Sequence, residues 1–189
     1  MRKVFIDIGG YNGVSAEFFR NNHPEGKDFE IYTFECDERN IAILKNRPEL
    51  NINLIEKAAW IYDGEVKYYY GVSDGGTLYP SKSTGNINPS VFVWVPTIDL
   101  ARFILSNFND EDYIVIKMNC EGSEYELIPH LKKYGLINWV DKWYIQWHYQ
   151  KIGLSEAEHN RISDIIPKWW PWNCQLYAED FKEVFKQSL

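Results

Sequence analysis

The chain is poor in sulfur, with three cysteines, Cys36, Cys120 and Cys174, and two methionines in 189 residues. An odd number of cysteines without a C-x-x-C pair argues against a disulfide framework and against a zinc site. No metal is expected. A basic stripe is also lacking: Lys and Arg number 20 against 27 Asp and Glu, for a net charge of -7. A nucleic-acid phosphate backbone is therefore not the expected partner. No apolar run is long enough to span a bilayer, and no signal-peptide pattern is seen. The expectation is a soluble protein of a reducing compartment, the cytoplasm, with no membrane partner. Internal repeats and a second-domain boundary are missing too. With 45% hydrophobic and 16% aromatic residues, the chain reads as one globular domain over 1–189 with a sizeable core.

The first thirteen residues carry the most information. Val4-Phe5-Ile6-Asp7-Ile8-Gly9-Gly10-Tyr11-Asn12-Gly13 reads as a buried strand entering a glycine turn, and a helical pattern begins near Ser15. This is a nucleotide-type cofactor loop at a βα junction, where glycines admit a close ligand and the helix N-terminus offers free N–H groups. A dinucleotide loop needs G-x-G-x-x-G. Counting from Gly9, the third position is Tyr11, which disfavours a pyrophosphate and hence an NAD-dependent enzyme. Counting from Asp7, the pattern is D-x-G-x-x-x-G, which places an acid in the ligand site. Such a site suits a cofactor with a cationic amino-acid end, such as S-adenosylmethionine.

Short apolar strands alternate with helical patterns, the signature of an α/β sheet. Strands are expected at Val4–Ile8, Ile31–Glu35, Asn53–Ala58, Tyr113–Met118 and Trp143–His148, the first and fourth apolar enough to be buried on both faces. Helices fit Val14–Asn22, Glu38–Asn46, Ile98–Asn107, Ser123–Tyr134 and Ser155–Ile166. Ser155 with Glu158 makes a capping box, Gly135 reads as a helix stop, and Asp37 as an N-cap. Glu65–Gly71 and Val91–Val95 look like an annexed hairpin. The connection Val72–Ser90, rich in Gly, Ser, Asn and Pro, is long enough to suggest function. Its Thr77, Ser81 and Ser83 are placed to close over an acceptor. The tail Leu176–Phe185 reads as a last strand and helix. Trp169, Trp170 and Trp172 are expected to pack rather than to stack on a ligand.

Glu35 ends the second strand at a distance from the glycine loop that suits an acid accepting hydrogen bonds from a ribose. Ala58, Ala59 and Trp60 follow the third strand, where small residues let a flat base lie against the backbone. The fourth strand delivers Lys117, Asn119 and Glu121 to the sheet's C-terminal edge, pointing the same way by period-2 spacing. His148 ends the strand after it.

In this order the motifs resemble those of FkbM-type S-adenosylmethionine-dependent O-methyltransferases. The matching pieces run from Phe5–Gly13 through Phe34-Glu35, Ala58-Ala59-Trp60 with Asp63-Gly64, and Thr97-Ile98-Asp99-Leu100. They continue with Ile116-Lys117, Glu121-Gly122-Ser123-Glu124 and Gln146-Trp147-His148, so the resemblance covers roughly residues 3–150. It implies a Rossmann-like class I methyltransferase fold, a mostly parallel sheet with helices on both faces. It also implies methylation of a hydroxyl, often on a sugar, with a small molecule or glycan as acceptor. Candidate cofactor-binding residues are Asp7, Gly9, Gly10, Asn12, Gly13, Ser15, Glu35, Cys36, Ala58, Ala59, Trp60 and Asn119. Candidate catalytic residues are Lys117, Asn119, Glu121 and His148. His148 is placed to accept a hydroxyl proton near neutral pH, with Glu121 as the competing base. The chain departs from the family in having Cys36 for the usual Pro, Asn119 for Asp, and Cys120 for a hydrophobic residue. The Asn119 departure keeps open a rival reading, a binding protein that has lost catalysis. A methyltransferase for RNA or protein is the other alternative, and the acidic charge disfavours RNA.

Overall fold

The computed structural model describes residues 1–72 and 75–167. The strands β1 (Lys3–Ile8), β2 (Glu30–Phe34), β3 (Ile52–Ile55), β7 (Tyr113–Met118) and β8 (Val140–Ile145) form a parallel sheet in the order β3-β2-β1-β7-β8. β1 and β7 are buried along all but their first residue, as parallel central strands must be when helices cover both faces. Alternation on β1 assigns the faces. Val4, Ile6 and Ile8 join the core of α3 (Leu100–Asn107), α4 (Glu124–Lys133) and α6 (Glu156–Ser163). Phe5 packs on the opposite face against Ala16 and Phe19 of α1 (Val14–Asn22), with the Phe5 and Phe19 rings stacked at 3.9 Å. The result is the expected Rossmann-like α/β architecture. The order reverses at β1, between β2 and β7, so the crevice at the C-terminal ends of these strands is where such a sheet binds ligands.

Three strand assignments are corrected. Asn53–Ala58 is not one strand. β3 stops at Ile55, the Lys57 N–H turns back to the Ile55 carbonyl at 2.8 Å, and Ala58–Trp60 becomes β4 in a second sheet. The expected hairpin is larger than its pattern. β5 (Gly64–Tyr68) and β6 (Val93–Asp99) pair antiparallel, with Lys67 opposite Trp94, but β6 also pairs parallel with β4 to give the order β4-β6-β5. Ile98 and Asp99 thus belong to β6 rather than to the helix, and Asp99 caps α3 by accepting from the Arg102 N–H. The fifth expected strand is shifted towards the N-terminus. β8 begins at Val140 because the Asp141 carboxylate accepts the Ile114 N–H at a bulge, so a polar residue serves the ladder there. It ends at Ile145, and His148 is the N-cap of the short helix α5 (Tyr149–Ile152) rather than a strand residue.

Local signals hold where they were strongest. The Ser155–Glu158 capping box is complete, although α6 ends at Ser163 rather than Ile166. Gly135 takes the left-handed conformation after α4, and Asp37 caps α2 (Glu38–Lys45). The expected tail elements, Cys174 and the tryptophans at 169, 170 and 172 lie outside the described residues. Among the described residues, no helix is long and apolar enough to cross a membrane.

Candidate active site

A cavity of about 210 Å³ opens at the C-terminal ends of β1, β2 and β7, with Gly9, Gly10, Glu35, Ala58, Asn119 and Glu121 among its walls. Gly9 has φ near 80°, and a Cβ there would lie 2.1 Å from the Asn119 carbonyl oxygen, so only glycine lets the loop lie against the end of β7.

Asp7 is not in the cavity wall; it is fully buried beneath the loop, on the α1 side of β1. The expectation that this acid faces the ligand is therefore corrected. Its Oδ2 accepts from the Ser15 hydroxyl at 2.6 Å, and its Oδ1 forms an ion pair with Lys117 at 2.8 Å. Asp7 and Lys117 are register partners on adjacent strands, so the pair follows from the sheet. Lys117 also donates to the Gly9 carbonyl at 2.7 Å. The two residues hold the loop in place, and Lys117 alone of the pair reaches the cavity.

Glu35 does lie in the wall. Its Oε1 accepts the N–H groups of Cys36 and Asp37, and its Oε2 that of Tyr11 at 2.7 Å. Burial pushes its pKa up, and these three backbone donors work against that. A carboxylate offers about four acceptor positions, so one remains for a ligand hydroxyl. Ser15, Cys36 and Ala59 also line the cavity, and burial drives the Cys36 thiol well up from its ordinary pKa. Three candidates stand outside the wall. Asn12 accepts the Val14 N–H through its side chain, Gly13 is the left-handed N-cap of α1, and Trp60 lies in β4.

The C-terminal end of β7 carries the least expected chemistry. Asn119 presents a buried Oδ1 that has no hydrogen-bond partner. Glu121 does not continue the strand's alternation: β7 ends at Met118, and Glu121 has a φ of 53°. Lys117, Asn119 and Glu121 therefore share the cavity but not one strand face. Four non-glycine residues among those described have positive φ; two are asparagines, and the others, Tyr11 and Glu121, both line the cavity. Left-handed backbone at a Tyr and a Glu is costly, and here it turns both residues towards one space.

Glu121 belongs to a buried row of alternating charges. Its Oε2 lies 2.7 Å from Lys82 Nζ and its Oε1 3.4 Å from His148 Nε2. The second distance marks an ion pair rather than a strong hydrogen bond. Beyond it, His148 Nδ1 lies 2.9 Å from Glu124 Oε1, which also accepts the His148 N–H. Glu124 Oε2 accepts the Gly122 N–H at 3.0 Å. Burial alone would lower the His148 pKa, but Glu124 and Glu121 outweigh it and raise the pKa to about 9. Burial would raise that of Glu121, but His148 and Lys82 bring it down to about 2. His148 is thus an imidazolium near neutral pH, behind Glu121 and not in the wall, which corrects its assignment as a neutral base. Lys82 and Glu124 were not singled out from the sequence. Lys82 sits in a polar connection that reads as solvated, and Glu124 reads as an ordinary first-turn helix acid, although its place in the Glu121–Glu124 motif was a usable signal. Among the described residues, no group of three His, Cys, Asp or Glu side chains is placed to hold a metal ion.

These shifts set a stability profile. A histidine whose pKa rises on folding stabilises the folded chain fully below its ordinary 6.5 and loses that contribution as the pH climbs through about 9. Glu121 does the opposite, contributing above its ordinary 4.5 and losing that on the way down to about 2. Denaturant unfolding should therefore show a stability decline from neutral towards alkaline pH that is reduced in His148→Gln.

No curated protein matches the chain. The family model for the methyltransferase FkbM domain matches residues 7–175, from the acid of the glycine loop to well past α6. Spanning most of the chain and both walls of the cavity, that match shows that this protein belongs to the FkbM methyltransferase family.

Proposed function

We propose that the chain is an S-adenosylmethionine-dependent O-methyltransferase whose acceptor is a hydroxyl of a sugar, glycan or other small molecule. The observation that carries this reading is the end of β7, where an unpartnered buried Asn119 oxygen and an ionised Glu121 share one cavity. When bound, S-adenosylmethionine would supply a methyl group to the acceptor oxygen, the C–S bond breaking as the sulfonium leaves as a neutral thioether. The chain's own groups fit that cofactor. Asn119 Oδ1 accepts a hydrogen bond and suits an ammonium, Glu35 keeps an acceptor position for a ribose hydroxyl, and Ala58 and Ala59 leave room for a flat base.

Glu121 then receives the acceptor's proton. A carboxylate of pKa about 2 is too weak a base to deprotonate a free alcohol. An oxygen that has begun to bond a methyl becomes a far stronger acid, so its proton can fall to Glu121 as transfer proceeds. His148 and Lys82 keep Glu121 ionised and aimed. Most of the rate comes from proximity and orientation, and the proton transfer adds to it.

Labelled methyl transfer to a panel of free hexoses and methyl glycosides tests the reading. Cofactor binding without transfer to any acceptor would favour the binding-protein alternative instead. Glu35→Ala is expected to weaken S-adenosylhomocysteine binding by about 1–3 kcal/mol, the cost of losing one buried hydrogen-bond partner. Unchanged affinity by calorimetry would remove Glu35 from the ribose site. Asn119→Asp, which restores the family's usual residue, is expected to keep or raise activity.

A further inference from the structure

Lys82 lies in the polar connection between β5 and β6, where a lysine ordinarily keeps its ammonium in water. Here its side chain is only 1% exposed. The ammonium contacts Glu121 and donates to the Gly75 carbonyl, so the connection closes on itself. Two further bonds tie the same segment to the site. The Thr77 hydroxyl donates to the Glu121 carbonyl at 2.8 Å, and the Ser83 N–H donates to the Lys151 carbonyl at 2.7 Å. Glu121 is thus gripped through both its side chain and its backbone, and Thr77 and Leu78 of the segment line the cavity.

We propose that Lys82 is a positioning residue for methyl transfer, clamping the strap of residues 75–85 over the cavity and aiming the Glu121 carboxylate at the acceptor hydroxyl. The proposal rests on the reading of Glu121 as the group that receives the acceptor's proton. The cations facing Glu121 are Lys82 from the strap, His148 from the turn before α5, and Lys151 from α5; Glu124 of α4 lies behind His148. His148 and Lys151 stand 3.4 and 3.5 Å away, against 2.7 Å for Lys82. Lys82 is therefore the contact short enough to fix where the carboxylate points. Two mobile charged chains on a surface rarely hold one geometry, whereas a buried pair anchored by further hydrogen bonds does.

The proposal is decided by a double-mutant cycle on the full chain with Lys82→Met and Glu121→Gln. Hydrogen exchange reads the clamp without any ligand. Each single variant should speed exchange of the Thr77 and Ser83 amides by about 10-fold or more, and the double variant should add little. Methyl transfer from labelled S-adenosylmethionine to the best hexose or methyl glycoside of the panel reads the aim. Lys82→Met should lower kcat by about 10-fold or more, with KM for S-adenosylmethionine nearly unchanged. In the Glu121→Gln background the same substitution should cost nothing further. Independent, multiplying losses would overturn the proposal, since a lysine that merely packs the strap would act whether or not residue 121 carries charge. So would an unchanged kcat in Lys82→Met. If the wild-type chain transfers methyl to no acceptor, the reading of the site fails and the proposal with it. A coupled exchange pattern with uncoupled activity overturns the proposal alone.

Discussion

Glu121→Gln is expected to reduce methyl transfer by about 10²-fold or more while S-adenosylhomocysteine affinity stays nearly unchanged. Glutamine keeps the shape of the side chain and can still accept through one oxygen, but it cannot take a proton near neutral pH. The residue stands in the cavity wall, in a left-handed conformation that turns it there, with its pKa held to about 2 by His148 and Lys82 against the opposing effect of burial. His148→Ala is expected to cost less, because His148 stands outside the cavity wall and contacts Glu121 instead. The wild-type rate should show no limb in the ordinary histidine range, since the imidazole holds its proton up to about 9. Steady-state kinetics across pH on the three proteins checks both statements. A silent Glu121→Gln beside an inactive His148→Ala, with a histidine limb in the wild type, would reverse the two roles.

The second large effect is on stability. Glu124→Ala should destabilise the chain by about 3–5 kcal/mol, the range found when one partner of a buried ion pair is removed. Glu124 is fully buried. Its two oxygens serve the His148 ring, the His148 N–H and the Gly122 N–H together. Truncation leaves a buried imidazolium and two backbone donors without their acceptor. For a chain of this size the loss corresponds to a fall in melting temperature of roughly 6–20 °C. Glu124→Gln should fall between the wild type and Glu124→Ala. One oxygen can serve one side of the arrangement, while the new amide group faces a donor on the other. A melting temperature unchanged in Glu124→Ala would show that the row of charges does not support the fold.

How far the chain can be read in advance differs from residue to residue. β1, its glycine loop and α1 are legible because their signals are local: a continuous apolar run, a glycine at the tight turn, then helical spacing. The Ser155–Glu158 box and the Gly135 stop are legible for the same reason. Trp143–His148 differs from β8 at both ends because Asp141 looks like a residue outside a strand, although its carboxylate bonds to the ladder, and because the alternation continues past Ile145, where β8 ends. Asn53–Ala58 reads as one strand because nothing in a six-residue pattern says that the chain changes sheets at Lys57. Ending a strand beside glycines points Asp7 to the ligand site, but its register partner is Lys117, and the two pair beneath the loop.

The α/β class, the position of the glycine loop and the resemblance to the FkbM methyltransferases are all legible in the amino-acid order, because each rests on spacing within a short window or on the order of such windows. Which acids face the cavity, Glu35 and Glu121 but not Asp7, and which charges surround them depend on packing. Lys82, Glu121, Glu124 and His148 come from a connection, the turn after β7, a helix and a helix N-cap, and their approach within ion-pair distance depends on how those elements pack. Proton affinity follows from burial and neighbouring charge, which no local pattern encodes. The residue type of His148 points to a neutral base; folding sets it between two carboxylates, which raise its pKa to about 9.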